Sequence, residues 1–228
     1  PKSPAGGLVK PDPIHMPPLR LQKRPTDKEI RNHFSDRDPV MYRVICDIGP
    51  LKLKRNRNYF LVLCKAIIAQ QISTRAAQTI TSRFHDLFDG HSPNPETVFN
   101  IKEKSLQSVG LSRQKTAYLK DLSRHFLNKE VRPRQLPYLD NEEVVCRLTA
   151  IYGIGRWTAE MFLIFSLSRM NVLPVSDLGL LAAIKDLYHM RKLPSARRVQ
   201  ALGKKWHPLE TVGTWYAWRF RDAENIAY

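Results

Sequence analysis

The sequence predicts an all-α protein, and three observations carry that prediction. From about Lys28 to Tyr228 no convincing run of residues alternates apolar and polar as a half-buried strand requires. Capping residues and glycines instead punctuate the chain at helical intervals. One segment, Tyr59 to Gln71 (YFLVLCKAIIAQQ), is apolar almost all round, as a helix in the centre of a bundle would be.

The elements follow in order. Seven of the 16 prolines fall in the first 25 residues, so residues 1–35 read as a proline-rich, basic arm and 36–228 as the folded domain. After the Tyr59–Gln71 helix, Ser73 reads as the N-cap of a second that carries Ala76, Ala77, Ile80, Phe84 and Leu87 on one face. Asn94-Pro95 starts a short helix. Gly110 stops a helix and Ser112 caps the next, whose apolar face is Tyr118, Leu119, Leu122 and Phe126. Asn141 opens a helix that ends near Ala150, and another starts near Trp157. Ser176 and Ser195 are capping candidates for two more, and Leu209 to Ile226 forms an aromatic last helix.

Lysine and arginine total 37 against 21 aspartates and glutamates, a formal charge of +16. Such an excess calls for a polyanionic partner, with nucleic acid the first candidate and anionic lipid the alternative. Cys46, Cys64 and Cys146 lie far apart with no C-x-x-C pair, which excludes a disulfide framework and a zinc or iron–sulfur cluster. A reducing, intracellular compartment is expected. The most apolar stretch, Met161 to Ser168, falls well short of the roughly 20 residues that span a bilayer, and no signal-peptide pattern is present, so no membrane association is expected.

Between the helices ending near Ala150 and starting near Trp157 lies Ile151-Tyr152-Gly153-Ile154-Gly155. Two glycines one residue apart permit a tight turn with positive φ and expose consecutive N–H groups at the head of a helix. Such an end attracts anions, and a DNA phosphate suits a chain this basic. An αα-corner that uses glycine only for geometry has the same local pattern.

The surrounding residues resemble a known family. LTAIYGIGRWTAEMFLIFSL resembles the helix-hairpin-helix of the base-excision DNA glycosylases, and Leu173-Pro174-Val175-Ser176-Asp177-Leu178-Gly179-Leu180 resembles that superfamily's Gly/Pro-Asp signature. The likeness is strongest to the 3-methyladenine DNA glycosylase II branch. Ala69-Gln70-Gln71-Ile72-Ser73 looks like its upstream motif, Val109 to Lys115 like its middle motif, and Trp206-His207-Pro208 with Trp215-Tyr216-Ala217-Trp218 like its C-terminal helix. Three departures stand out: Tyr152 replaces the hairpin's usual proline, Ser176 a frequent aspartate, and Leu209-Glu210-Thr211 an aromatic-Arg-Ser run.

The resemblance implies a helix-hairpin-helix glycosylase fold with two helical subdomains, about 58–155 and about 36–57 plus 156–228, and a cleft between them. It implies excision of alkylated bases such as 3-methyladenine and 7-methylguanine from double-stranded DNA, by a monomer. Asp177, which alone reads as a helix cap, takes the position of the catalytic aspartate. A fixed negative charge there would stabilise the oxocarbenium-like sugar of N-glycosidic hydrolysis. Trp157 and Trp218 match the base pocket, where aromatic faces attract a cationic base, and Met161 replaces a frequent pocket tyrosine; Trp206 is assigned to the same pocket, with core packing an equal alternative for its ring. Trp157 stands where lyase-competent relatives carry a Schiff-base lysine, which implies a monofunctional enzyme that uses water.

By the same likeness Ile72, with Gln71 and Ser73 beside it, is the plug that holds the gap left by the flipped base, its alternative being an ordinary core isoleucine at a helix end. Gly153, Gly155, Arg156 and Thr158 fall at the phosphate-binding hairpin. The carbonyls of Thr149, Ile151 and Ile154 take the positions that hold Na+ or K+ in the family. No other cofactor is expected. Two readings remain beside this one: a non-catalytic DNA-binding protein that keeps the hairpin, and a glycosylase of the same fold for deaminated or oxidised bases.

Overall fold

The computed structural model describes residues 24–221. Residues 1–23, most of the proline-rich arm, and residues 222–228, over which the sequence predicts the last helix to run on to Ile226, lie outside the described residues. Within them there are twelve α-helices, one short 3-10 turn at Leu136–Tyr138, and no strand. Among these residues no helix is long and apolar enough to cross a membrane.

The helices divide by what they pack against. Helices α3 (Tyr59–Ala69), α4 (Thr74–Asp86), α5 (Pro95–Asn100), α6 (Glu103–Ser108) and α7 (Arg113–Leu127) assemble around α3 and α7. Helices α1 (Asp27–Arg37), α2 (Pro39–Ile48), α10 (Leu178–Leu187), α11 (Ala196–Trp206) and α12 (Glu210–Arg221) form the second group. The antiparallel pair α8 (Asn141–Thr149) and α9 (Arg156–Phe165) joins them, with α9 also lying against α3. Helix α3 buries Tyr59, Phe60, Leu63, Cys64, Ile67 and Ile68, the all-round burial its composition predicts. Each such aliphatic side chain stabilises the fold by about 1.5–3 kcal/mol.

Three boundaries differ from the sequence reading. The folded unit begins before residue 36: Thr26 makes a capping box with Glu29, and α1 buries Ile30 and Phe34 against α2 and α11. Helix α3 ends at Ala69, because Gln70 turns extended and Gln71 takes φ 57°. Helix α10 is capped by Asp177 and not by Ser176, its carboxylate accepting the Leu180 N–H at 2.6 Å. The Ser73, Ser112 and Ser195 caps are where the sequence places them.

A buried polar knot ties the second group. Asp38 caps α2 through the Met41 N–H, and its Oδ2 accepts Trp206 Nε1 at 2.8 Å and the Tyr188 hydroxyl. In the loop after α9, Arg169 donates to the carbonyls of Pro137 and Leu139, while the Thr211 hydroxyl donates to Arg169 O at 2.7 Å and accepts Val172 N. This loop leads into Asp177, and Thr211 lies in the first turn of α12, which carries Trp218. The knot therefore holds both ends of the site in register.

Candidate active site

Asp177 is 8% exposed and faces three N–H donors. Its Oδ1 accepts Leu180 N at 2.6 Å and Trp218 Nε1 at 2.8 Å, and its Oδ2 accepts Trp157 Nε1 at 2.7 Å. An ionised carboxylate, which only accepts, suits this setting, and the α10 N-terminus adds a favourable dipole. Oδ2 has a single donor and keeps acceptor capacity on the side of Trp157, which is 38% exposed. Trp218 is half-buried and stacked on Phe165 at 6.0 Å and 16°. Met161 is buried one turn beyond Trp157 on α9.

Trp206 is a correction. It is fully buried, its Nε1 is held by Asp38, and its ring fills the space above Gly213, so it belongs to the core and has no face to offer a base.

The DNA-facing candidates also sort by burial. Ile72 is 37% exposed in the loop between α3 and α4, flanked by exposed Gln71 and Ser73, so it is not a core isoleucine. The loop lies beside the hairpin, since Gln70 Nε2 donates to Gly153 O at 2.8 Å. The two hairpin glycines differ. Gly153 has φ 86°, and a Cβ there would lie 2.2 Å from the Tyr118 ring, so both backbone and packing require glycine. Gly155 is the N-cap of α9 with φ −90° and no side-chain cap, and open space lies where its Cβ would be. The N–H groups at the head of α9 therefore have no side-chain cap, and no Cβ stands in front of them.

Two other hairpin residues have internal roles. Thr158 is buried, so only its backbone N–H remains to meet a phosphate. The Arg156 guanidinium is already occupied, with Nη1 3.0 Å from Glu142 Oε2, Nη2 on Glu142 Oε1, and Nε 3.2 Å from Glu160 Oε1. These pairs hold α8 to α9 while just over half of the Arg156 side chain stays exposed. The Ile151 carbonyl accepts the Ile154 N–H at 3.1 Å and closes the turn.

Glu160 is a feature the sequence reading missed. It is buried among apolar neighbours on α9, and its Oε2 has no partner. Burial pushes its carboxyl above the ordinary value against the pull of Arg156, with Glu142 and Asp177 adding like-charge repulsion. Its i,i+4 spacing from Arg156 was the one available signal.

A family model for the HhH-GPD superfamily base excision DNA repair proteins matches residues 64–208, which run from the middle of α3 past the end of α11 and include the hairpin and Asp177. The chain belongs to the HhH-GPD superfamily. Relatives of this HhH-GPD protein include DNA-3-methyladenine glycosylase 1 of Schizosaccharomyces pombe, 31% identical over 82% of this chain and 84% of the relative. Among solved structures, a DNA-3-methyladenine glycosidase from Bacillus halodurans superposes with TM-score 0.78 at 32% identity, covering 85% of this chain and 88% of that one. The S. pombe 3-methyladenine DNA glycosylase in complex with abasic DNA superposes with TM-score 0.74 at 30% identity, covering 83% and 95%.

Proposed function

We propose that this HhH-GPD protein is a monomeric DNA glycosylase that removes alkylated bases, of the 3-methyladenine and 7-methylguanine type, from duplex DNA to begin base excision repair in the nucleoid or nucleus. The observation that carries the reading is a nearly buried carboxylate at a helix N-terminus, gripped by the N–H groups of two tryptophans whose rings border it. A DNA-binding protein without catalysis has no use for that arrangement. The relatives named for 3-methyladenine excision support the substrate class.

The chemistry follows from these groups. An N-alkylated purine is cationic, so when the glycosidic bond breaks it takes the electron pair and departs neutral without a general acid. Positive charge then develops on the sugar, and the Asp177 carboxylate opposes it in a site of low dielectric. Water adds to the anomeric carbon and releases its proton to Asp177 Oδ2 or to solvent. Trp157 and Trp218 offer ring faces to the cationic base, each good contact contributing about 0.5–2 kcal/mol. Ile72 occupies the gap in the stack, and the uncapped N–H groups after Gly155 take a phosphate.

A Na+ or K+ ion would be held at the hairpin by the carbonyls of Thr149, Ile151 and Ile154, the Ile151 oxygen offering the lone pair that the Ile154 N–H leaves free. When bound, the ion adds positive charge beside the phosphate. Helix α9 contains no lysine, and Trp157 takes the place of the Schiff-base amine, so the reaction ends at an abasic site.

The test is incubation of purified protein with duplexes bearing single lesions, followed by alkali cleavage of abasic sites. Release of cationic methylpurines is expected, with no borohydride-trapped adduct. A covalent adduct would overturn the monofunctional assignment, and no release from any alkylated duplex would overturn the function.

A further inference from the structure

We propose that α7 is a strut that fixes the plug loop against the hairpin, and that Lys115 on it is a positioning residue for base flipping. The inference rests on the glycosylase reading and assigns a task to the Val109–Lys115 motif, which the chemistry above leaves unused.

The contacts run along one side of α7. Ser112 caps the helix, and one turn in, Lys115 Nζ donates to Ile68 O and to Gln70 O, both at 2.8 Å. These carbonyls lie at the C-terminal end of α3, where the last turn has no intrahelical donors and carries partial negative charge. Lys115 is half-buried and burial lowers the pKa of its ammonium, so the two carbonyls replace part of the water the charge has lost. Immediately beyond Gln70 the chain enters the left-handed region at Gln71 and then presents Ile72.

Three residues along α7, the Tyr118 ring packs beneath Gly153 and meets Tyr152 edge-on at 4.6 Å, steadied by Gln114 Nε2 on its hydroxyl at 2.6 Å. Three residues further, Asp121 Oδ2 accepts the Tyr152 N–H at 2.8 Å. Burial opposes ionisation of Asp121, yet the Tyr152 N–H, Arg124 and His125 hold its carboxyl below the ordinary range. Gln70 closes the frame by donating to Gly153 O. Lys115 thus grips the root of the plug loop, and Tyr118 and Asp121 grip the hairpin. The hairpin holds the backbone while the plug enters the stack, so the two loops need a set spacing, and α7 supplies it.

Removing the Lys115 grip frees Gln70 to Ser73 but leaves the hairpin's own contacts in place. Plug insertion then has to order the loop, whereas backbone binding does not. The experiment uses a duplex with a tetrahydrofuran abasic analogue and 2-aminopurine beside it, so that emission reports insertion without any excision. Lys115→Met keeps the stem and loses the donors. At saturating protein it is expected to give an emission change at least about 5-fold smaller than wild type, with affinity for undamaged duplex within about 2-fold. Lys115→Arg, which can still donate to both carbonyls, should restore most of the signal.

Gln70→Ala, which removes the second tether, should share the Lys115→Met phenotype and serves as the reporter should Lys115→Met not fold. In excision assays on wild-type lesion substrates, the Lys115→Met rate deficit should shrink when the lesion lies opposite a mismatch, where flipping costs less. An emission change equal to wild type in the folded variants, or equal losses on paired and mispaired lesions, would overturn the strut. Failure of wild type to release any alkylated base would overturn the glycosylase reading instead, since the emission assay does not depend on excision.

Discussion

Asp177→Asn separates charge from shape. Oδ1 serves two donors, Leu180 N and Trp218 Nε1, so the amide oxygen should stay there and the NH2 should face Trp157 Nε1 across 2.7 Å, donor against donor. One charge-assisted hydrogen bond is lost, nominally about 1.5–3 kcal/mol. Trp157 is 38% exposed and can turn its N–H to water, so the net destabilisation should be about 1–2 kcal/mol. For a chain of this size that is a fall in Tm of roughly 2–8 °C. The transition state loses a full negative charge in a nearly buried site, and removal of such a preorganised electrostatic group costs about 2.7–4 kcal/mol, or roughly 100- to 1,000-fold in rate. Single-turnover release of labelled base from methylated duplex measures the rate, and anisotropy measures duplex affinity, expected to remain near wild type. Turnover within about 3-fold of wild type would remove Asp177 from the chemistry, and a collapse of affinity would make it structural.

Three further outcomes follow from the same geometry. Gly153→Ala should lower both Tm and duplex affinity, because φ 86° and the Tyr118 ring at 2.2 Å oppose a Cβ, whereas Gly155→Ala should leave Tm unchanged and weaken DNA binding alone; if neither variant binds less well, the hairpin is only a corner between helices. Because the Glu160 carboxyl is raised on folding, the folded chain holds its proton more tightly than the unfolded one, so this group's contribution to stability falls as pH rises from the unfolded value of about 4.3 through the folded one. Glu160→Gln should flatten that part of the profile in urea melts from pH 4.5 to 7, and an identical slope in both proteins would exclude it. Trp218→Ala and Trp157→Ala should shrink the preference for 7-methylguanine over neutral hypoxanthine, each rate normalised to uncatalysed release, while Trp218→Phe keeps part of it. An unchanged normalised ratio would show that the lesions' own lability sets the selectivity.

Much of the site was legible because its signals are local. A cap needs only a side chain three residues from an N–H, so Ser73, Ser112 and Ser195 declare their helices within a single turn. The all-round apolar run of α3 is likewise readable from neighbours alone, and the two-glycine hairpin announces a tight turn before a helix. Asp177 and Ile72 needed the ordered resemblance of several stretches together, since an aspartate at a helix start or an isoleucine after a helix has an ordinary structural use.

Tertiary structure decided which residues those local signals serve. Trp206 lies in a stretch resembling the base pocket, yet Asp38, 168 residues away, claims its indole for the core. Arg156 at the hairpin also pairs with Glu142 on the other hairpin helix and Glu160 one turn along α9, a brace between helices that its position beside the glycines does not announce. Gly153 and Gly155 are alike in sequence, but the Tyr118 ring lies against only the first. Lys115 gains its task from carbonyls 45 and 47 residues earlier in the chain. Helix class, caps and turns depend on spacings within a few residues, which the sequence states by itself. Whether a polar side chain is free for DNA or already spent depends on burial and on partners that only chain packing brings near.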